Sequence, residues 1–487
     1  MILRDYQEQA THHLRDAYRE GARAVILYSP TGSGKTVMAC DVVSRAVAKG
    51  SRVLFIGDSS EIIEQTSAAL DQWSVPHGII QGGRANRKPW ENVHVATIQT
   101  LRNRELPPED LVIVDECHLA RAITWQRVIE HYRAAGARLL GLSATPVRLD
   151  QKGLGKLFDR LVYCPSIIDL TDQGWLVPVR IFAPPGPDLR GVHNQAGDFN
   201  KGELSAACDK RKLVGDVIAH WLKHAPGRLT AVSAVSIVHS QHLRDEFRAA
   251  GIPAEHVDGT TPREERKRIL KGLEAGAFTV LCQVDICSKG WDCKPISCLV
   301  DARPTMSLAR WLQFVGRGLR ISPETGKADC ILLDHAGNVR KFGMPDEERE
   351  WSLDGAEGVR VKPRDTVESV RMCKQCWMAF RSSEQTCPNC GWRYTGRLND
   401  IEHEAGELQE IQRQRKQMAI QVWRERHPDD ARRRKFDEFI RIGVERGYKP
   451  GFAIQRYRAI FLEDPPREWM QTAFVAARAG EGAAVNS

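Results

Sequence analysis

One short stretch constrains the fold of this chain more than any other. The apolar run Val25-Ile26-Leu27-Tyr28 leads directly into Ser29-Pro30-Thr31-Gly32-Ser33-Gly34-Lys35-Thr36, and a helical pattern follows from Val37 to Ala48. A strand that turns through glycines into a helix is the setting of a phosphate-binding loop. Gly32, Ser33 and Gly34 let backbone N–H groups face phosphate oxygens, and the helix N-terminus favours negative charge. Lys35 adds a point charge for the β and γ phosphates, and Thr36 can hold Mg²⁺. Ser29 stands where the general pattern has glycine. Such a loop requires an α/β domain.

From Leu3 to about Cys164, β-branched runs alternate with amphipathic helical stretches, as in a mostly parallel sheet covered by helices. Val25–Tyr28, Val53–Ile56, Val93–Ala96, Leu111–Val114 and Leu139–Leu142 read as its strands. Each runs into a motif at its C-terminal end, where ligands bind in open α/β sheets. A second unit of the same type spans about Leu213 to Asp334, with strands expected at Ala234–Val238, Thr279–Cys282, Cys298–Val300 and Cys330–Leu333.

After Leu111–Val114, Asp115 and Glu116 place two carboxylates beside the loop. Asp115 is suited to orient Mg²⁺ through its water shell and Glu116 to polarise an attacking water as a general base. An acidic pair after a strand is a weak signal alone, but it stands in a series. Thr97-Ile98-Gln99-Thr100, Asp115-Glu116-Cys117-His118, Ser143-Ala144-Thr145-Pro146, Ile237-Val238-His239-Ser240, Gly290-Trp291-Asp292 and Gln313-Phe314-Val315-Gly316-Arg317-Gly318-Leu319-Arg320 follow the loop in order. Together they resemble the superfamily 2 helicases and translocases, whose ATP sits between two RecA-like domains that open and close on a strand.

The resemblance implies a role for each string. Arg4, Tyr6 and Gln7 look like the adenine-reading segment, with Gln7 pairing to the base edge and Tyr6 stacking. Gln313, Arg317 and Arg320 match the last helicase motif, whose arginines reach toward the γ phosphate; Arg320 is the first choice and Arg317 the second. Asp292 is expected near the ribose or these arginines. His118 is expected to contact the last motif, with a satisfied core histidine as the alternative, and Ser143 and Thr145 to connect hydrolysis with strand binding. Gln65, Thr97 and Gln99 on the first lobe, and His239 and Ser240 on the second, match strand-binding segments. Hydroxyls and amides can hold phosphates and sugars without reading bases.

Cys373-x2-Cys376 and Cys387-x2-Cys390 are separated by ten residues, spacing that lets two knuckles place four thiolates around one Zn²⁺. Gly391 permits the tight turn after the second pair. Trp377, Phe380, Trp392 and Tyr394 nearby either build the ribbon's core or stack on bases. Beyond them, residues 411–460 carry 14 basic and 6 acidic side chains, including Arg432-Arg433-Arg434-Lys435. That excess suits a nucleic-acid or partner surface, or simply solvated helix faces.

The whole 487-residue chain has 70 basic and 62 acidic residues, a net +8 that permits a polyanionic partner without requiring one. No apolar run approaches a membrane span and the N-terminus is too polar for a signal peptide, so no membrane partner and an intracellular location are expected. The Asp-Glu-Cys-His box, Arg303-Pro304-Thr305, Asp334-His335-Ala336-Gly337-Asn338 and the four cysteines make residues 1–395 similar to the RadD-type helicases of bacteria and their phages, and this resemblance implies the cytoplasm of a bacterial or phage-infected cell. Gly447-Tyr448-Lys449-Pro450-Gly451-Phe452 is similar to a segment in the tails of such proteins.

The expected fold is therefore two tandem RecA-like P-loop domains with parallel sheets (1–182 and 213–345) joined by a connector (183–212). A linker (346–370), a four-cysteine zinc ribbon (371–395) and a basic helical tail (396–487) follow. The resemblance implies an ATP-dependent DNA helicase or translocase of repair, recombination or phage DNA metabolism, using ATP, Mg²⁺ and Zn²⁺, with single-stranded or branched DNA and repair or replication proteins as partners. An RNA helicase and the motor subunit of a restriction system are the alternatives.

Overall fold

The computed structural model describes residues 2–82, 88, 90–119, 123–146, 153–195, 198–286, 293–354, 360–361, 370–394, 429–445, 451–461 and 464–471. Its first sheet has seven strands: β1 (Ala24–Tyr28), β2 (Val53–Gly57), β3 (Gly78–Ile80), β4 (Val93–Thr97), β5 (Leu111–Val114), β6 (Arg138–Ser143) and β7 (Arg160–Tyr163). They lie in the order β3-β4-β2-β5-β6-β1-β7, every neighbouring pair parallel. The central strands are apolar throughout because helices cover both faces. Val25, Leu27 and Phe55 pack with Leu14 and Met38 on one side; Ile26, Leu54 and Val112 pack with Ile129, Tyr132 and Phe158 on the other.

The second sheet repeats this plan. It contains β8 (Val179–Phe182), and, after a small hairpin of β9 (Asn194–Gln195) and β10 (Asp198–Phe199), β11 (Thr230–Ser233), β12 (Ala254–Val257), β13 (Val280–Gln283), β14 (Cys298–Asp301) and β15 (Cys330–Asp334). A separate short pair, β16 (Arg349–Glu350) and β17 (Arg360–Val361), precedes β18 (Val370–Met372) and β19 (Met378–Arg381). The order β12-β13-β11-β14-β15-β8-β19-β18 is parallel as far as β8 and antiparallel beyond it. The two lobes are tandem RecA-like domains.

Several local expectations need correction. Ala234–Val238 is not a strand: β11 ends at Ser233, and Ser236 caps a helix over Ile237–Ala249, its hydroxyl accepting from the N–H of His239 at 3.2 Å. The hydroxyl competes for the backbone just where a β-branched run reads as a strand. Val179–Phe182, counted above with the first lobe, pairs with β15 of the second. Within 183–212, the helix Lys201–Cys208 packs Leu204 and Cys208 on Val235, and Asp198 accepts from the Met306 N–H at 2.7 Å. This connector is thus partly folded onto the second lobe.

The cysteine segment is also more integrated than a separate ribbon. Its hairpin, β18 with β19, adds to the second lobe's sheet through Met378 opposite Phe182, covering an edge that β8 would otherwise expose. The tail is a unit of its own. Its helices Asp429–Glu445 and Gly451–Phe461 pack through Phe436, Phe439, Ala453 and Tyr457, with Trp469 against them. Two members of the basic run are paired along the helix, Arg433 with Asp437 and Lys435 with Glu438.

Candidate active site

The phosphate-binding loop is braced by the first helix, Asp5–Arg19. Gln7 Oε1 accepts from the Arg4 N–H at 3.1 Å, while Gln7 Nε2 and the Tyr6 hydroxyl both donate to the Ser33 carbonyl, at 3.0 and 2.8 Å. Tyr6 is buried, so it fixes the loop and offers no free face to a base. Gly32 and Gly34 have φ of 93° and 85°, the left-handed region that side chains resist. Space adds a second requirement, since a Cβ on Gly34 would lie 2.5 Å from Gln7 Nε2. The Ser33 hydroxyl donates to the Pro30 carbonyl at 2.6 Å and meets Ser29, and Lys35 begins the helix Lys35–Val47.

Glu116 gathers the chemistry. The Asp115 N–H still bonds to the Ile56 carbonyl at 3.0 Å, but Glu116 turns to a left-handed φ of 47°, a strained backbone for a residue with a side chain. Its Oε1 lies 3.4 Å from Lys35 Nζ; its Oε2 lies 3.3 Å from both His118 Nδ1 and Gln313 Nε2. Burial alone would raise the Glu116 carboxyl, but Lys35, His118 and Arg317 outweigh it and hold it well below the usual range. Asp115 goes the other way, burial and the Glu116 charge pushing it up to about 7 against Lys35. A divalent cation would reverse the cost of ionising Asp115, so Asp115 and Thr36, which line one cleft with Lys35, fit a Mg²⁺ site.

Gln313 sits on the helix Leu308–Gly318 of the second lobe, so its contact with Glu116 crosses between lobes. Arg317, on the same helix, is buried and near enough to lower Glu116, while Arg320 packs beside the loop, its Cγ 3.2 Å from where a Gly32 Cβ would stand. All three line a cleft of about 870 Å³ shared with Arg4, Gln7, Gly32, Gly34, Lys35, Thr36, Asp115, Glu116 and His118. His118 Nδ1 also lies 3.2 Å from Ser143 Oγ, which accepts from the Thr145 N–H at 3.1 Å. Ser143 and Thr145 are thus linked to the Glu116 carboxylate through one ring.

The strand-side residues are not gathered in this way. Gln65 is exposed in the wall of the nucleotide cleft. Thr97 is buried with its hydroxyl 2.8 Å from that of Thr100, and Gln99 is exposed, donating to the Asp58 carbonyl at 2.9 Å. His239 and Ser240 are both buried; Nδ1 of His239 accepts from the Val235 N–H at 3.4 Å, and Ser240 Oγ lies 2.7 Å from His256 Nδ1. Asp292 falls outside the described residues. The sequence reading missed Trp175, which lies between motifs and carries no pattern of its own, yet lines the cleft with the Arg4 guanidinium carbon 4.2 Å over its ring.

The four cysteines converge. Their sulfurs all lie within 4.8 Å of one another, Cys373 to Cys390 at 3.5 Å and Cys376 to Cys387 at 3.6 Å. A tetrahedron with Zn–S near 2.3 Å has edges of about 3.8 Å, so the set fits that ion. Each knuckle closes with the same bond, Trp377 N–H to the Cys373 carbonyl at 3.0 Å and Gly391 N–H to the Cys387 carbonyl at 2.9 Å. Trp377 and Gly391 both take positive φ, 62° and 73°. Phe380 and the partly buried Trp392 pack on the sulfurs as core.

Comparison with known proteins places the chain in a family. Residues 1–148 match the family described as "Type III restriction enzyme, res subunit", and residues 210–322 match "Helicase conserved C-terminal domain". A 51.5 kDa protein of a Lactococcus phage is 30% identical over 368 residues, 75% of this chain and 77% of that one. The Schizosaccharomyces pombe protein named as a mitochondrial ATP-dependent helicase, irc3, is 28% identical over 357 residues, 70% of this chain but only 58% of its own length. A solved fragment of an HsdR subunit of a type I restriction enzyme from Vibrio vulnificus shares the fold, with a TM-score of 0.57 at 22% identity over 71% of this chain and 66% of that one. With a phosphate loop and an acidic box on one lobe and a helicase C-terminal domain carrying Gln313, Arg317 and Arg320 on the other, the chain belongs to the superfamily 2 helicases of the DEAD/DEAH type, ATP-hydrolysing motors that act on nucleic acid.

Proposed function

We propose that this motor acts on DNA, as a helicase or translocase of repair, recombination or phage DNA metabolism, and that Cys373, Cys376, Cys387 and Cys390 hold a structural Zn²⁺. The observation that carries the mechanism is the 3.3 Å contact of Gln313 with Glu116. Through it, closure of the second lobe reaches the carboxylate that accepts the proton of the attacking water. Lys35 neutralises the β and γ phosphates of the substrate, and Thr36 and Asp115 would hold Mg²⁺, which would supply further charge compensation when bound. Arg320 and Arg317 bring positive charge to the γ phosphate from the opposite lobe, so hydrolysis requires closure. His118, Ser143 and Thr145 transmit that state toward the strand.

On the strand side Gln99 is the exposed donor, and Thr97, His239 and Ser240 act by bracing the loops around them. Arg4 and Gln7 serve the base. DNA is favoured over RNA because a further relative of this chain is named as the endonuclease subunit of a type I restriction enzyme. The described tail helices and the basic residues before them are suited to repair or replication partners, or to DNA itself.

The deciding experiment is ATPase rate against single-stranded, duplex, forked and branched DNA and against RNA. Stimulation by DNA and not by RNA is expected; equal or greater stimulation by RNA overturns the DNA assignment. The restriction-family match of residues 1–148 favours one second reading, the motor subunit of a restriction system. Stimulation confined to duplexes bearing one unmodified sequence would select it.

A further inference from the structure

We infer that Trp175 is the aromatic wall of the nucleobase site and the residue through which a bound base positions Arg320. This rests on reading the cleft as the ATP site. The segment that would read adenine by sequence has lost its aromatic: Tyr6 is buried, with its hydroxyl donated to Ser33. Trp175 replaces it from the chain joining the lobes. It is half-buried, lines the cleft with Arg4 and Gln7, and holds the Arg4 guanidinium carbon 4.2 Å over its ring, with the Tyr6 ring 6.1 Å away. A flat cation and an indole at one end of a phosphate cleft, beside the Gln7 amide, suit a planar, π-faced heterocycle with a hydrogen-bonding edge.

The backbone beyond Trp175 runs straight to the arginine motif. The N–H groups of Trp175 and Leu176 donate to the Leu170 carbonyl at 2.8 and 3.1 Å, tying the indole to the end of the helix Ile167–Asp172. The Val177 N–H then donates to the Leu319 carbonyl at 2.8 Å, and Leu176 bridges antiparallel to Arg320. Leu176 Cδ2 and Arg320 Cγ press side by side on the loop, 3.1 and 3.2 Å from where a Gly32 Cβ would stand. A base seated against Trp175 therefore fixes the three-residue segment on which Arg320 is registered. The triphosphate alone, lacking a base, cannot do so.

The test uses the full chain with Trp175→Ala and Trp175→Phe, comparing ATP with tripolyphosphate, which keeps the phosphates and lacks the base. Trp175→Ala should raise KM for ATP about tenfold or more, in the range a lost stacking partner costs, while the inhibition constant of tripolyphosphate stays within about twofold. Trp175→Phe should restore most of the affinity, and kcat at saturating ATP should fall in the Ala variant because Arg320 is less well held. An unchanged KM, or equal weakening of ATP and tripolyphosphate with no rescue by Phe, overturns the inference. The underlying reading fails differently: Lys35→Ala would then still bind and hydrolyse ATP.

Discussion

Gly316, on the arginine-bearing helix, packs against Thr31 of the phosphate loop so closely that a Cβ at 316 would collide with the Thr31 Cβ and lie 2.8 Å from its Cγ2. The lobes meet there backbone to side chain, and the absence of a side chain sets how far Gln313 and Arg317 advance.

Gly316→Ala should therefore hold the lobes apart. Helical geometry tolerates alanine, so the cost falls on closure and not on the helix. Nucleotide binding to the first lobe should survive while DNA-stimulated ATPase drops about a hundredfold, the scale of an ångström-level misplacement of catalytic groups. Turnover close to the parent would show that this contact does not limit closure.

Glu116→Gln separates binding from chemistry. The amide keeps the shape of the carboxylate and loses its basicity, so nucleotide affinity should persist while hydrolysis slows by at least about a hundredfold. Lys35→Ala should abolish turnover. The Glu116 variant hydrolysing ATP at near-normal rate would remove its assignment as general base.

Much of this site was legible because its chemistry demands local patterns. The strand, glycine turn and helix around Lys35 need adjacent residues, and so does the carboxylate pair after β5. What the sequence hid depended on contacts between distant segments. Tyr6 looks like a stacking residue until the Ser33 carbonyl takes its hydroxyl; Trp175 carries no pattern of its own, and only the fold brings its ring beside Arg4. Ala234–Val238 reads as a strand by its β-branched content, and the Ser236 hydroxyl, by capping Ile237–Ala249, decides otherwise. His239 and Ser240 sit in the right string, but the helix turns both inward. The pairing of β19 with β8 was invisible because antiparallel addition to a sheet edge leaves no periodic trace in either strand.

The second lobe should be acid-sensitive through His335. Its ring is buried against His220, centroids 5.0 Å apart, and Nε2 has no hydrogen-bond partner among the described residues. Burial first, and the neighbouring His220 second, pull its pKa down to about 3. A base with a depressed folded pKa is neutral in the fold and protonated on unfolding below about pH 6.5, so its stability is intact above that value and lost as pH falls toward 3. His335→Phe should reduce the slope of unfolding free energy with pH between 6 and 4 by up to about 1.4 kcal/mol per unit. Parallel slopes for parent and variant would refute the assignment.

Zinc loss should reach the motor. Because β19 covers the edge of β8, unfolding the cysteine hairpin strips one neighbour from a strand that also pairs with β15. Purified chain should carry one zinc, and Cys387→Ser should lose it, lowering the melting temperature of the second lobe as well as that of the hairpin. Metal content below about half an equivalent in chelator-free protein would count against the site.

The segment of residues 343–354, which follows the second lobe, should act as a strap on the first lobe. It leaves the helix Asn338–Phe342 through Arg349, whose buried guanidinium donates to the carbonyls of Phe342 at 2.9 Å and Met344 at 2.8 Å and so holds a compact turn. Trp351 then buries itself 5.7 Å from the Tyr28 ring, immediately before the phosphate loop, and its carbonyl accepts from the Tyr163 hydroxyl at 2.7 Å. Two residues on, the Leu353 carbonyl accepts from the Gly155 N–H at 2.9 Å. Trp351→Ala removes a buried indole packed beside Tyr28 of the first lobe, a change that costs about 3–5 kcal/mol in a packed core. Because the carbonyl contacts remain, the lobes should still fold, and the loss should appear as weaker coupling: ATPase without DNA falls, and more DNA is needed for half-maximal stimulation. If thermal unfolding drops while both kinetic quantities stay at their parental values, the strap is a packing element and does not govern closure.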